Sequence, residues 1–188
     1  MKREVILVVL ASLSLSACGD AGVGEPVGQS AATETAHKVT VSMAEDPKLA
    51  VGDTATITES GNKLTVHSYE SSLTSKGSSK PDSGFEFSAI EAEGCADSSS
   101  GKDQMAISPN AFILRLADGT PVRPTAFYGE GAAVRKPALM TMDPEPGTCT
   151  RGFITYQTPR DERPKIITFE DPFTTDAPGI SWEIPDQQ

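Results

Sequence analysis

The chain has 188 residues, 16 basic against 26 acidic side chains, a formal net charge of −10 and an apolar fraction of 37%. Once a leader and a linker are set aside, that length leaves room for one domain with one core. The acidic balance, with no cluster of Lys and Arg, argues against binding a nucleic-acid phosphate backbone or docking electrostatically on anionic lipid head groups.

The first element is a leader. Lys2 and Arg3 make a positive start, weakened by Glu4, and Val5 to Leu15 is apolar and broken only by small residues. This run is shorter than the roughly 20 apolar residues that a membrane-crossing helix needs. It ends in Leu15-Ser16-Ala17-Cys18, a large aliphatic residue, two small residues and a cysteine, which resembles the lipobox of bacterial lipoproteins. The resemblance implies diacylglycerol on the Cys18 thiol and cleavage just before it, so that residues 1–17 are a signal peptide and the mature chain starts at a lipidated Cys18. Two or three buried acyl chains, palmitate among them, anchor firmly where a single chain is marginal.

Residues 18–37 read as a tether. From Gly19 to about Ala36 the chain is rich in Gly, Ala, Ser, Thr and Glu, with no large apolar residue beyond Val23 and Val27. Such a stretch cannot bury enough surface to offset the entropy of ordering it.

Residues 38–188 read as an all-β domain. The expected strands begin at Val39-Thr40-Val41, followed by a turn at Gly52-Asp53, a strand over 54–58, a turn at Ser60-Gly61-Asn62 and a strand over 63–69. In the last of these Leu64, Val66 and Ser68 share one face. A polar loop is expected over 71–83, then a strand opened by Phe85, Phe87, Ala89 and Ile90, whose alternation slips near Ala89 as at a bulge, and which ends at Cys95. A second polar loop covers 97–104. The run 111–116 is apolar enough for a central strand, and Asp118-Gly119 turns it into a hairpin with Pro121-Val122-Arg123. Further strands are expected at 138–142, at 152–156 with Ile154 and Tyr156 opposing Phe153 and Thr155, and at 165–169 and 180–184. Eight to ten short strands at this spacing predict a two-sheet antiparallel sandwich. No internal repeat is visible.

With Cys18 assigned to lipid, Cys95 and Cys149 remain. An even number of cysteines in an exported chain favours a disulfide. The alternatives are two buried free thiols or a metal or redox pair, although there is no Cys-x-x-Cys and no histidine nearby in sequence.

The run Val51-Gly52-Asp53-Thr54, then Leu64-Thr65-Val66 and a strand ending in Cys95, resembles an actinobacterial lipoprotein family of the immunoprotective extracellular, immunoglobulin-like group, typified by secreted mycobacterial antigens. Phe112-Ile113-Leu114 with Asp118-Gly119 looks like that family's hairpin. Pro146-Gly147-Thr148-Cys149-Thr150-Arg151-Gly152-Phe153 looks like its Pro-Gly-x-Cys-x-x-Gly-aromatic signature, and Tyr156-Gln157-Thr158-Pro159 like the strand end that follows. The likeness covers roughly 49–185, and departs from the pattern at Ala92-Glu93-Gly94-Cys95, where many members carry Asn. It implies an immunoglobulin-like β-sandwich, a Cys95–Cys149 bridge and an extracytoplasmic location, and supplies no activity.

Few residues qualify for chemistry. Of the two histidines, His37 lies at the end of the tether and His67 on an expected solvent face of a strand, with no Gly-x-Ser-x-Gly elbow to accompany it. Acidic groups at Asp161-Glu162, Glu170-Asp171 and Asp143/Glu145 would need converging loops to hold Ca²⁺, and no Asp-x-Asp-x-Asp-Gly loop is present. Trp182 shares a face with Ile180 and Ile184 and reads as core rather than as a sugar platform. Arg160, Arg163 and Lys165 beside Asp161 and Glu162 read as a solvated rim.

These features together predict a lipid-anchored extracytoplasmic binding or interaction module that is not an enzyme. It uses no cofactor or metal, and its partner is a protein, a cell-wall polymer or a small ligand. A cell-envelope hydrolase or esterase, and a purely structural envelope protein, are the alternative classes.

Overall fold

The computed structural model describes residues 37–41, 47–58, 60–75, 80–99, 108–125, 134–139, 144–170 and 179–186. The leader and the tether up to residue 36, the expected loop residues 100–104 and the strand positions 140–142 lie outside the described residues. The described residues carry ten strands: β1 (Lys38–Val41), β2 (Lys48–Ala50), β3 (Thr54–Ile57), β4 (Lys63–Leu73), β5 (Phe85–Cys95), β6 (Phe112–Arg115), β7 (Pro121–Val122), β8 (Cys149–Pro159), β9 (Ile166–Phe169) and β10 (Ile180–Glu183). A single 3₁₀ turn, Pro109–Ala111, capped by the Ser108 side chain, leads into β6.

The strands form two five-stranded sheets. The first runs β1-β3-β4-β5-β8 and the second β2-β10-β9-β6-β7. Neighbours are antiparallel except at two places, where β1 pairs parallel to β3 and β2 pairs parallel to β10. Both parallel pairs involve short strands at a sheet edge, and the intervening chain crosses from one sheet to the other, as in a sandwich.

The core lies between the sheets. Leu64 and Val66 of β4, Ile90 and Ala92 of β5, and Ile154 and Tyr156 of β8 face Phe112 and Leu114 of β6, Ile167 and Phe169 of β9, and Ile180 and Trp182 of β10. Trp182 is completely buried, with Ile180 and Ile184 beside it, so the alternation read from the sequence places this run correctly. The Phe112 and Phe169 rings pack edge to face, 5.1 Å between centroids, on neighbouring strands. Two polar contacts reach across this apolar layer. Trp182 Nε1 donates to the carbonyl of Asp53 at 3.1 Å, and the Tyr156 hydroxyl donates to the carbonyl of Phe112 at 3.1 Å.

The structure corrects several local expectations. The slip near Ala89 is not a bulge of β5 itself, which pairs with β8 in unbroken register from Phe85 opposite Pro159 to Cys95 opposite Cys149; Ala89 lies opposite Glu70, where the partner strand β4 is irregular. The irregularity sits in β4, with register shifts between Val66 and Ser68 and between Glu70 and Leu73. The extra residue at His67 throws the alternation out by one, so Tyr69, not Ser68, continues the inward face of Leu64 and Val66 and packs against the core. Strand β4 also runs to Leu73, beyond the start of the expected loop at Ser71, with Ser72 at a positive φ of 55°. The expected strand over 138–142 is represented among the described residues by one bridge, Ala138 beside Phe153.

That bridge protects an edge. Strand β8 would otherwise present unpaired backbone, a template for unwanted pairing. Instead two short segments lie along it: Pro124 bridges to Tyr156, Thr125 N–H donates to the Thr155 carbonyl, and Leu139 N–H donates to the Phe153 carbonyl at 2.8 Å. Gly152 makes this approach possible, because a Cβ there would sit 2.8 Å from the Leu139 nitrogen.

Candidate functional site: the outer face of the first sheet

Strands β4, β5 and β8 are each eleven residues long; their outer face is partly exposed from Glu91 to Cys95 and buried at Phe87, Ala89 and Thr155. The period of two places Glu91, Glu93 and Cys95 of β5 on that side, opposite Phe153, Arg151 and Cys149 of β8. From β4 come Lys63 opposite Cys95, Thr65 opposite Glu93, and His67, the next residue in the same alternation. On the flank, the hydroxyls of Thr54 of β3 and Thr65 lie 2.8 Å apart.

The charges on this face are matched. Arg151 grips Glu91 with two parallel hydrogen bonds, Nε to Oε1 and Nη2 to Oε2, each 2.8 Å. Its Nη1 lies 3.9 Å from Glu93 Oε2, and that same oxygen meets His67 Nε2 at 3.1 Å. The four residues form a chain, Glu91–Arg151–Glu93–His67, across three strands. The Arg151 hydrogen bonds hold the Glu91 carboxyl below the usual carboxylate range, and Glu91 in turn pushes the Arg151 guanidinium up.

At the end of this ladder Cys95 and Cys149 are joined by a disulfide between residues directly opposed in register. Cys149 is exposed and Cys95 half-buried. The Glu93 carboxylate adjoins the bond, its Oε1 3.4 Å from Cys95 Sγ. A Glu93 oxygen and both sulfurs all lie within 4.8 Å of one another, the only such set of potential metal ligands among the described residues.

The other sequence-derived candidates are dispersed. Glu170 pairs with Arg115 at 2.6 Å, and Lys165 with Asp186 at 2.5 Å, which keeps the Asp186 carboxyl low. Arg160 Nε donates to the Phe85 carbonyl at 2.9 Å, and the Arg163 guanidinium stacks 5.3 Å from the Tyr69 ring centroid. Asp171 and Asp143 lie outside the described residues, as does Cys18. The backbone N–H of His37 donates to Asp53 Oδ1 at 2.8 Å. His67 lies on the outer face of its strand as expected, half-buried there and bonded to Glu93. No short motif announces the ladder. Its only sequence signal is the i, i+2 spacing of Glu91, Glu93 and Cys95 in one strand, matched by Cys149 and Arg151 in another.

No known family model matches the chain, and no curated protein matches its sequence. Among solved structures the chain is similar to MPT63, a secreted protein from Mycobacterium tuberculosis, with 18% identity over 74% of this chain and 98% of that one at a TM-score of 0.52. It also matches a lipoprotein candidate from Bacillus subtilis, with 13% identity over 65% of this chain and 36% of that one at a TM-score of 0.46. A third match is an uncharacterised β-sandwich protein from Clostridium difficile, with 14% identity over 75% of this chain and 95% of that one at a TM-score of 0.44. At these identities the first likeness establishes the fold alone: an all-β, immunoglobulin-like two-sheet sandwich. Among the described residues no helix is long and apolar enough to cross a membrane.

Proposed function

We propose that the chain is a lipid-anchored, extracytoplasmic interaction module of the immunoprotective immunoglobulin-like kind, and that it acts by binding rather than by catalysis. Cleavage after residue 17 leaves Cys18 acylated, residues 18–37 serve as tether, and residues 38–188 are the displayed domain. The observation that carries the binding reading is the outer face of β4, β5 and β8. Three long strands in fixed register hold a ladder of opposite charges, Glu91–Arg151–Glu93–His67, whose members are committed to one another. The charged part of this face, from Glu91 to Cys95, suits recognition of a polar partner, either a protein or a cell-wall polymer. The lipobox and the lipid anchor support a location on the outer side of the cytoplasmic membrane.

The anchor and the binding role are tested separately. Mass analysis of the mature protein from cells should find diacylglycerol on Cys18, and Cys18→Ser should move the protein out of the membrane fraction. Crosslinking on intact cells, with the tethered protein as bait, should recover a partner whose yield falls when Arg151 is replaced by Glu. Turnover of a substrate in an unbiased hydrolase screen of the purified protein would overturn the non-enzymatic reading in favour of an envelope hydrolase or esterase.

A further inference from the structure

We propose that reduction of the Cys95–Cys149 bond converts the end of the charged ladder into a site for a thiophilic divalent cation such as Zn²⁺, with Cys95, Cys149 and Glu93 as ligands. This goes beyond the binding role above and does not depend on it.

The geometry is already close to what the cation needs. Tetrahedral Zn²⁺ with Zn–S bonds of about 2.3 Å sets its two sulfurs roughly 3.8 Å apart. The two cysteines are directly opposed residues of antiparallel strands. Side-chain rotation at Cys95 and Cys149 is enough to open that spacing, since both project from the same face. The strands themselves stay in place, because ten further register pairs beyond the cysteines hold β5 to β8.

The third ligand is supplied by β5 itself. Glu93 is two residues from Cys95 and therefore on the same side, and its carboxylate lies within the 4.8 Å cluster with both sulfurs. His67 Nε2 bonds to Oε2 at 3.1 Å while Oε1 is the oxygen turned toward Cys95 Sγ, at 3.4 Å. His67 is thus a positioning residue, holding the carboxylate by one oxygen and leaving the other for the cation, as outer-shell partners of metal-bound carboxylates do. Three protein ligands leave the fourth position of the tetrahedron open to water. Exposure of Cys149 gives both reductant and cation access from solvent.

The chemistry balances with a dithiol as reductant. Its two thiols surrender two electrons and two protons and close into a disulfide, while the Cys95–Cys149 bond opens to two thiols. On metal binding each protein thiol loses its proton and donates a sulfur lone pair, so that about two protons are released per cation. A small-molecule disulfide reverses the first step by thiol–disulfide exchange: it takes up the two electrons and is reduced to thiols as Cys95–Cys149 closes and the cation leaves. The face therefore carries two exclusive states: covalently closed and metal-free, or reduced and metal-loaded.

The test uses the purified full-length protein in detergent, reduced anaerobically with dithiothreitol, desalted and titrated with Co²⁺. The reduced protein should bind one equivalent, develop the thiolate-to-cobalt charge-transfer band and visible bands of tetrahedral Co²⁺, and lose them when Zn²⁺ is added. The oxidised protein should show none of these. Cys95→Ser with Cys149→Ser should abolish the charge-transfer band, and Glu93→Gln, which keeps both thiols, should weaken binding by at least about tenfold while retaining it. The proposal is overturned if the reduced protein, still folded by circular dichroism, gives no charge-transfer band. It also fails if the oxidised protein binds equally well, if E93Q binds as tightly as the parent, or if reduction alone unfolds the domain.

Discussion

The Tyr156 hydroxyl, from the first sheet, donates to the carbonyl of Phe112, at the start of β6 in the second, across 3.1 Å of fully buried space. Both residues are otherwise packed in apolar surroundings, so this hydrogen bond fixes how one sheet sits on the other. Burial raises the Tyr156 phenol well above its ordinary pKa.

Tyr156→Phe should therefore cost about 1–2 kcal/mol at neutral pH, measured by urea unfolding with Trp182 fluorescence as the readout. It should also change the alkaline limb. Above pH of about 10 the unfolded chain ionises at this tyrosine while the folded chain holds its proton, so the unfolded state gains and stability falls as pH rises. Removing the hydroxyl removes that contribution and flattens the slope. Some slope should remain, because burial also raises the half-buried Tyr69. Equal pH slopes for parent and variant would refute the coupling.

Gly152→Ala should destabilise the domain by roughly 1–3 kcal/mol, since the added methyl meets the Leu139 backbone at 2.8 Å and that backbone cannot rotate aside. The damage should be local. Hydrogen exchange should quicken at Leu139 and Phe153, whose amides bond across this bridge, before it quickens at Ile90 in the sheet centre. Uniform loss of protection would show that the bridge is not a separate unit.

Replacing Cys95 and Cys149 together by Ala should lower stability by roughly 2–4 kcal/mol, because the bond closes a loop with a sequence separation of 54 residues in the unfolded chain. The effect should be seen mainly as a lower unfolding midpoint in an unchanged fold, given the long register of β5 on β8. A variant with lost near-ultraviolet circular dichroism would contradict this.

Acid should act through Glu91. Its folded-state pKa is lowered by Arg151, so its contribution is complete above the ordinary carboxylate range and is lost as pH falls through the folded value. Arg151→Ala should therefore lower stability near neutrality by a small amount, as expected for a pair this exposed, with the deficit closing as pH falls through the folded value of Glu91 and the acid midpoint moving slightly to higher pH. An unmoved acid midpoint would show that the pair is idle.

What the chain discloses by itself follows the physics of alternation. The run from Gly152 to Tyr156 buries Ile154 and Tyr156, and Ile180, Trp182 and Ile184 are buried together, because a period of two on a one-sided apolar strand has a single way to face the core. Asp118-Gly119 marks its hairpin because the backbone there demands a positive φ, 87° at Gly119. Strand β2 is missed: three residues, of which only Leu49 is buried, carry too little pattern. The bulge at His67 is missed because an inserted residue leaves composition unchanged and reveals itself only in the partner's register. The same limit hides the ladder. Arg151 meets Glu91 across 60 positions of sequence and His67 meets Glu93 across 26, and no local spacing encodes which charges of separate strands are brought abreast.

Asp53 is where the chain ahead of the sandwich is made fast. Its carboxylate takes the amides of His37 and Ala50, and its neighbour Thr54 takes up the carbonyl of His37 at 2.9 Å. Any mechanical load arriving along the preceding segment meets this clamp first, and then the parallel seam of β1 on β3, whose bonds share a pull along the strand instead of opening in turn. A pull on residue 37 is thereby shared between this clamp and the β1–β3 seam before it can reach β4.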